Sequence, residues 1–252
     1  MDSDRGLAKM SRRRFFAPPG AFNFGKQIVT LTADEARHLR EVLRLKTGDE
    51  VSVFDGEGRE FRATVAQARR ESAELDLKHE IEPARPESPL QITLAVALLK
   101  GEKFDLVVQK ATELGVYKIV PLMTQHADIK LRDASDAEKR VARWQRIALE
   151  AAKQSGRALI PKIHPPTPLL SVLNSSNPCF LFTEKEGHGL KQIETDHLTA
   201  IIGSEGGWSD EELDQARAAG AEIVTLGGRI LRAETAAIIA TALLQHRCGD
   251  LN

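Results

Sequence analysis

Two glycine-rich segments hold the residues best suited to chemistry. Residues 201–210 read Ile-Ile-Gly-Ser-Glu-Gly-Gly-Trp-Ser-Asp, and residues 226–235 read Leu-Gly-Gly-Arg-Ile-Leu-Arg-Ala-Glu-Thr. Glycine permits positive φ and close backbone approach, and a loop that feeds a helix N-terminus offers free amides to an electronegative group. Neither segment is G-x-G-x-x-G or carries the Gly-Lys-Ser/Thr of a Walker A loop, which disfavours a phosphate-gripping nucleotide site. Glu205, Arg229, Arg232 and Glu234 stand in or beside these loops as candidate acid-base and charge-stabilising groups. Each also fits an ordinary role as a loop charge or helix-end partner. No His or Cys stands near another at metal-ligand spacing, so no metal is expected.

The surrounding chain predicts elements that place both loops at strand ends. From Ile92 onward, apolar strands alternate with helical segments: strands Ile92–Leu99, Lys118–Met123, Cys179–Thr183, Thr199–Gly203 and Glu222–Leu226, and helices Glu102–Leu114, Ala137–Ser155, Ser209–Ala219 and Ala233–Gln245. That rhythm predicts an α/β fold around a mainly parallel sheet, and ligands of such sheets bind at the carboxyl ends of strands. A single pocket shared by the two loops is the economical reading. Ser209 and Glu212 predict a capping box at the start of one helix.

The N-terminal part reads differently. Short alternating runs at Glu50–Phe54, Glu60–Val65 and Ala73–Leu77 predict a small antiparallel sheet or barrel. One helix, Thr32–Leu45, interrupts them, with Thr32 and Glu35 as a second candidate capping box. Residues 81–89 (I-E-P-A-R-P-E-S-P) hold three of the eleven prolines and read as a linker. Expected domains are therefore 12–80 and 90–252, with 1–11 a disordered extension.

Lys and Arg total 35 against 36 Asp and Glu, a net charge of −1 over 252 residues. Bulk charge does not grip nucleic acid in such a chain, so RNA contact would fall to local clusters. Residues 1–70 carry 14 Lys and Arg against 10 Asp and Glu, with Arg12, Arg13 and Arg14 directly before Phe15 and Phe16. Arginine beside aromatics suits phosphate contact and base stacking, although burial of both phenylalanines in a first strand is favoured. Either Trp144 or Trp208 can stack on a base, and burial is expected of Trp144. The longest runs lacking charged or strongly polar side chains, such as Ile92–Leu99 and Ala236–Leu244, are shorter than the roughly 18 apolar residues needed to cross a bilayer, so no membrane role is expected. Cys179 and Cys248 cannot build a disulfide framework, which points to the cytoplasm.

The runs GSEGGWSDEEL and LGGRILRAETAAIIATALL, with KGEKFDLVVQKATELGV and EAAKQSGR upstream and RRFF and HLREVLRLKTGDEV near the start, resemble the RsmE family of ribosomal RNA methyltransferases, of the SPOUT class. The resemblance implies a PUA-like β-barrel followed by an α/β domain ending in a trefoil knot. It implies a homodimer that transfers a methyl group from S-adenosylmethionine to N3 of a uridine in 16S ribosomal RNA of the small subunit. Cofactor binding then falls to Gly203, Glu205, Gly206, Gly207, Leu226, Gly227, Ile230, Leu231 and Arg232. Arg232 would stabilise charge on the uracil oxygen, and Glu205 or Glu234 would be the base, with no choice between them. Lys100, Lys103, Gln154 and Arg157 join Arg12, Arg13 and Arg14 as RNA-contacting candidates. The chain departs from the family pattern at Ser204 and Gly228, where proline is common and its absence adds backbone freedom. Two readings compete: a non-catalytic RNA-binding protein, and an α/β enzyme using another nucleotide-type cofactor.

Overall fold

The computed structural model describes residues 13–191 and 193–251. Arg12 and the expected extension 1–11 lie outside the described residues. The chain divides into two compact units, Met1–Glu87 with Ala152–Ile160, and Ser88–Ala151 with Pro161–Asn252.

In the first unit six strands form one sheet: β1 (Arg14–Phe16), β2 (Phe22–Asn23), β3 (Ile28–Leu31), β4 (Glu50–Phe54), β5 (Glu60–Ala68) and β6 (Ala73–Ile81), in the order β1-β4-β5-β6-β3-β2. All pairings are antiparallel except β1 with β4. Alternation along β6 sends Ala73, Leu75 and Leu77 inward, where they join Phe15, Val29, Leu31, Val53 and Phe61 in one core. The helix is shorter than its pattern predicts: α1 covers Ala33–Arg37 and continues as a π turn, His38–Val42. Its capping box does not form, since Thr32 makes no side-chain cap bond. Glu35 is instead buried and accepts a hydrogen bond from Lys153 Nζ at 2.7 Å, and a buried carboxylate is better satisfied by an ammonium than by one amide.

The segment 152–160 belongs to this unit through backbone pairing. Leu159 bridges Gly56 and Glu57, and Gly56 (φ +81°) has no room for a Cβ, which would stand 2.9 Å from both Ile160 Cδ1 and Phe16 Cε2. Arg14 and Arg157 are buried here. Arg14 Nε donates to both Glu60 oxygens at 3.1 and 3.0 Å, and Arg157 pairs with Glu87 at 2.6 Å.

The second unit has a wholly parallel sheet of seven strands: β7 (Gln91–Ala97), β8 (Lys118–Met123), β9 (Lys162–Ile163), β10 (Thr167–Pro168), β11 (Cys179–Phe182), β12 (His197–Ile202) and β13 (Glu222–Val224). The order is β10-β8-β7-β12-β11-β13, with β9 beside β8. β7 is a continuous apolar run because both its faces are covered; every residue from Ile92 to Ala97 is buried. The helices are α2 (Lys103–Glu113), α3 (Ala134–Ser155), α4 (Leu169–Leu173), α5 (Asp210–Ala218) and α6 (Ala233–Cys248). The Ser209–Glu212 capping box is formed in full at the start of α5. Gln245 of α6 is fully buried; its Nε2 donates to Leu114 O at 2.9 Å and its Oε1 accepts from Ser88 Oγ at 2.6 Å. The prediction of an α/β fold with a parallel sheet is met. β9, β10 and α4 are too short for their periodicity to show in sequence.

Candidate active site

The glycine segments leave the carboxyl ends of β12 and β13, and both enter one cavity of about 250 Å³. They are not neighbours in the sheet. β11 lies between β12 and β13, so a third strand end, Phe182, Thr183 and Glu184, joins the lining. Sequence reading missed these three residues and Thr225, although the carboxyl end of an expected strand at 179–183 was the available signal.

The first loop is a tight turn. Gly207 N donates to Ser204 O at 3.0 Å, and Gly207 sits at φ +69°, a backbone region glycine adopts without strain. A Cβ on Gly203 would stand 3.1 Å from Trp208 Cε2, so glycine is what allows the indole to close down. Trp208 is 1% exposed, lines the cavity, and donates from Nε1 to Phe182 O at 2.9 Å. It is therefore wall material joining two of the three strand ends, and its burial removes it as an open stacking surface. A Cβ on Gly206 would meet His126 Cβ at 2.8 Å, and Gly206 O lies 3.2 Å from His126 Nδ1. In the second loop Gly227 is at φ +100°, Leu226, Leu231 and Arg232 line the cavity, and Ile230 is 84% exposed beside it.

Charges concentrate on one side. Lys103, at the start of α2, donates from Nζ to Glu205 Oε1 at 2.8 Å. Burial pushes the Glu205 carboxyl up, but the hydrogen bonds from Lys103 and from backbone amides outweigh it, so its pKa falls below the ordinary value. The same bond, helped by the field of Glu234 and opposed by burial and Arg232, raises the Lys103 ammonium. Glu234, in the first turn of α6, is buried, and its Oε2 has no hydrogen-bond partner among the described residues. Ser204 Oγ is likewise buried and unpartnered on the cavity wall. Arg229 and Arg232 line the cavity, and neither makes an ion pair among the described residues.

Gly203, Glu205, Gly207, Leu226, Gly227, Ile230, Leu231 and Arg232 thus share one cavity, with Gly206 adjoining it. Glu234 and Lys103 lie within electrostatic reach of one another. Of the remaining RNA-contacting candidates, Arg14 is occupied by the buried carboxylate of Glu60 and Arg157 by the half-buried one of Glu87, Arg13 lies 3.7 Å from Asp49, Lys100 pairs with Asp128 at 2.8 Å, and Gln154 is exposed. Among the described residues no group of three or more His, Cys, Asp or Glu is placed to hold a metal ion, and no helix is long and apolar enough to cross a membrane.

A parallel α/β sheet whose strand ends carry glycine loops around one cavity, with no phosphate loop, defines the class: an α/β protein with a ligand pocket at the carboxyl ends of its strands. Comparison narrows this class. Residues 86–245 match the RNA methyltransferase domain model, and residues 31–78 match the RNA methyltransferase PUA domain. Ribosomal RNA small subunit methyltransferase E of Synechocystis is 36% identical over 85% of this chain and 71% of its own length, and that of Rickettsia conorii is 32% identical over 88% and 93%. The same enzyme of Neisseria gonorrhoeae, solved bound to S-adenosylmethionine, is 34% identical with a TM-score of 0.84, covering 95% of this chain and 99% of its own. A methyltransferase of Legionella pneumophila, also solved with S-adenosylmethionine, gives 32% and 0.85, covering 95% and 99%. The chain belongs to the ribosomal RNA small subunit methyltransferase E family.

Proposed function

We propose that the chain methylates 16S ribosomal RNA of the small subunit with S-adenosylmethionine as donor, and that the atom modified is N3 of a uridine. The observation that carries this is the convergence of both glycine loops and the end of β11 on one cavity whose rim holds two arginines with no ion pair among the described residues. The residues fit the cofactor. Glycine backbone at 203, 207 and 227 and the side chains of Leu226 and Leu231 suit a purine and ribose, and Ser204 Oγ offers an unused hydrogen-bonding group. When bound, the cofactor supplies an electrophilic methyl group on a sulfonium.

The chain's own residues must then manage one proton and one developing charge. Uracil N3 carries a proton at neutral pH, so a base has to take it as the new N–C bond forms. Glu234 supports that role better than Glu205. Glu205 is held by Lys103 with a lowered pKa, whereas Glu234 keeps a buried oxygen with no partner. Arg232, two residues before Glu234, donates hydrogen bonds to the uracil oxygen on which negative charge collects. Orientation of the uridine against the methyl group supplies a further large share of the rate.

The finer organisation belongs to the same proposal. Residues 12–80 serve as a PUA-like barrel and 90–252 as the catalytic domain, joined by 81–89. The second glycine loop and α6 form a trefoil knot, and the protein works as a cytoplasmic homodimer. Arg12, Arg13, Lys100, Lys103 and Gln154 remain the RNA-contacting candidates, while Arg14 and Arg157 serve the fold of the first unit.

The test offers a labelled methyl donor to small subunits and to naked 16S RNA, then maps the product nucleotide. Label on uridine N3 is expected. Transfer to neither substrate, or label on a carbon or ribose, refutes the reading. Arg232→Ala should lower turnover about 100-fold with the fold retained, and unchanged turnover removes it from the mechanism.

A further inference from the structure

The combination of arginine and aromatic rings that residues 12–16 show in sequence is not available there. Phe15 is fully buried, and Arg14 lies 3.9 Å over the Phe54 ring with its charge spent on Glu60. The same chemistry is assembled elsewhere in the first unit, from two separate segments, Phe22–Lys26 and Arg59–Phe61. Phe24 is 51% exposed and stacks on Phe22, with ring centroids 5.7 Å apart and planes at 20°. Phe61 backs both rings, at 5.4 Å from Phe22 and 5.7 Å from Phe24. Arg59 Cζ stands 5.6 Å from the Phe24 centroid and 5.8 Å from that of Phe61.

Each part is held in place. Arg59 Nε donates to Asp55 Oδ2 at 2.7 Å, and Asp55 is buried and fixed by accepting the amides of Glu57 and Arg59. That ion pair fixes the guanidinium beside the rings; unlike buried Arg14, Arg59 keeps a side chain 44% exposed, and its terminal amino groups remain without a hydrogen-bond partner among the described residues. Phe24 sits in a turn closed by the Lys26 amide on Asn23 Oδ1 at 3.0 Å. It ends at Gln27, a non-glycine residue at φ +54° whose carbonyl accepts the Leu77 amide at 2.8 Å. A left-handed non-glycine residue is uncommon, and here it holds the turn that projects Phe24. Lys26 in the same turn is exposed and has no ion pair among the described residues.

We propose that Phe24, stacked on Phe22 and flanked by Arg59 and Lys26, is a platform for one unpaired base of RNA, with the two cations receiving the adjoining phosphates. The proposal rests on the RNA-modifying reading above and names where the first unit would grip its substrate. A solvent-facing ring with a second ring beneath it offers the π surface that any base can use. Cations at its edge match a polyanion better than an apolar protein partner. Selectivity would be for single strands, because a paired base has no free face.

The experiment measures binding of the full chain to a fluorescein-labelled single-stranded 12-nucleotide RNA and to 16S RNA. Phe24→Ala and Phe24→Leu should each weaken both by about 5- to 100-fold, and Phe24→Trp should restore binding. Arg59→Ala should weaken binding and reduce the salt slope by about 0.7, the value for one phosphate on a single strand. Retained S-adenosylmethionine binding reports that each variant is folded. Wild-type affinity in Phe24→Ala overturns the platform, and so does full rescue by leucine, which would mean plain apolar contact. A change of oligomeric state in Phe24→Ala also overturns it, since a second copy would then cover the ring. A wild-type chain that neither binds nor methylates RNA overturns instead the function on which the proposal rests.

Discussion

Replacing Glu60 by leucine tests whether the buried arginines of the first unit hold the fold. Arg14 and Glu60 have side chains only 4% and 2% exposed and 3.0 Å apart. Burial lowers the Arg14 pKa and Glu60 pulls it partly back, yet a guanidinium stays charged at any pH the fold survives. Glu60→Leu therefore strands a buried cation. Its remaining help is one bond from its terminal nitrogen to Arg157 O at 2.9 Å, the face of the Phe54 ring 3.9 Å away, and the more distant charge of Glu87. Breaking a buried pair from one side costs about 3–5 kcal/mol, and Glu87 argues for the lower end. With a urea slope of about 1–3 kcal/mol/M, the midpoint should fall by about 1–3 M. Arg14→Met should cost a similar amount, because Glu60 then keeps only the Ala84 amide at 3.4 Å. The double variant has no charge to strand. It leaves Arg157 O and the Ala84 amide one bond short, about 1–3 kcal/mol in sum where water reaches one of them. It should be no less stable than either single variant. Urea unfolding followed by far-UV circular dichroism on all four proteins measures this. Additive losses in the double variant would refute the reasoning, since they would show two independent contributions and no stranded charge.

Two further outcomes concern the cavity. Gly203→Ala pushes a Cβ to 3.1 Å from the Trp208 indole. An overpacking cost of about 1–2 kcal/mol spent at this wall should weaken S-adenosylmethionine about 10-fold by calorimetry; unchanged affinity would mean that the indole position does not shape the site. The Lys103–Glu205 tie has a definite pH signature. A lowered Glu205 pKa means its contribution is present above the ordinary 4.5 and is lost as pH falls through the folded value. A raised Lys103 pKa means its contribution is present below the ordinary 10.5 and is lost as pH rises through the folded value. The difference in unfolding free energy between wild type and Glu205→Gln should therefore be flat between those limits and shrink only outside them. A midpoint near neutrality would overturn this assignment and return Glu205 to the role of base.

Much of the second unit was legible because its sheet is buried on both faces. β8 is found at Lys118–Met123, as its apolar run reads, and the Ser209 capping box reads directly because every partner lies within four residues. The order of strands is another matter. β12 and β13 are consecutive in the chain yet separated by β11, so two loops that read as neighbours have the Phe182–Glu184 strand end between them. No local pattern reports that, because pairing order is decided by crossovers and by which faces the helices cover. The failed cap at Thr32 has the same origin. Glu35 satisfies the local rule for a capping box, but an ammonium 118 positions away competes for it, and a charge-assisted bond is the stronger of the two.

The basic residues carry the same lesson into function. Arg12 to Arg14 beside Phe15 and Phe16 look in sequence like an RNA contact. β1 is covered on both faces, however, so that Arg14 and Phe15 are buried on opposite sides of it, and Arg14 needs Glu60, 46 positions on, to be buried at all. Among the described residues, the arginines left without carboxylates include Arg229 and Arg232, where two loops meet at the cavity, and Arg59, tied to Asp55 only through Nε, is joined to its aromatic partners by the pairing of β4 with β5 and by a turn 35 positions earlier. In a chain with 35 basic and 36 acidic side chains, affinity for a polyanion depends on which cations the fold leaves unpaired. That is a property of the tertiary pairing, so the count of charges in any window of sequence cannot report it.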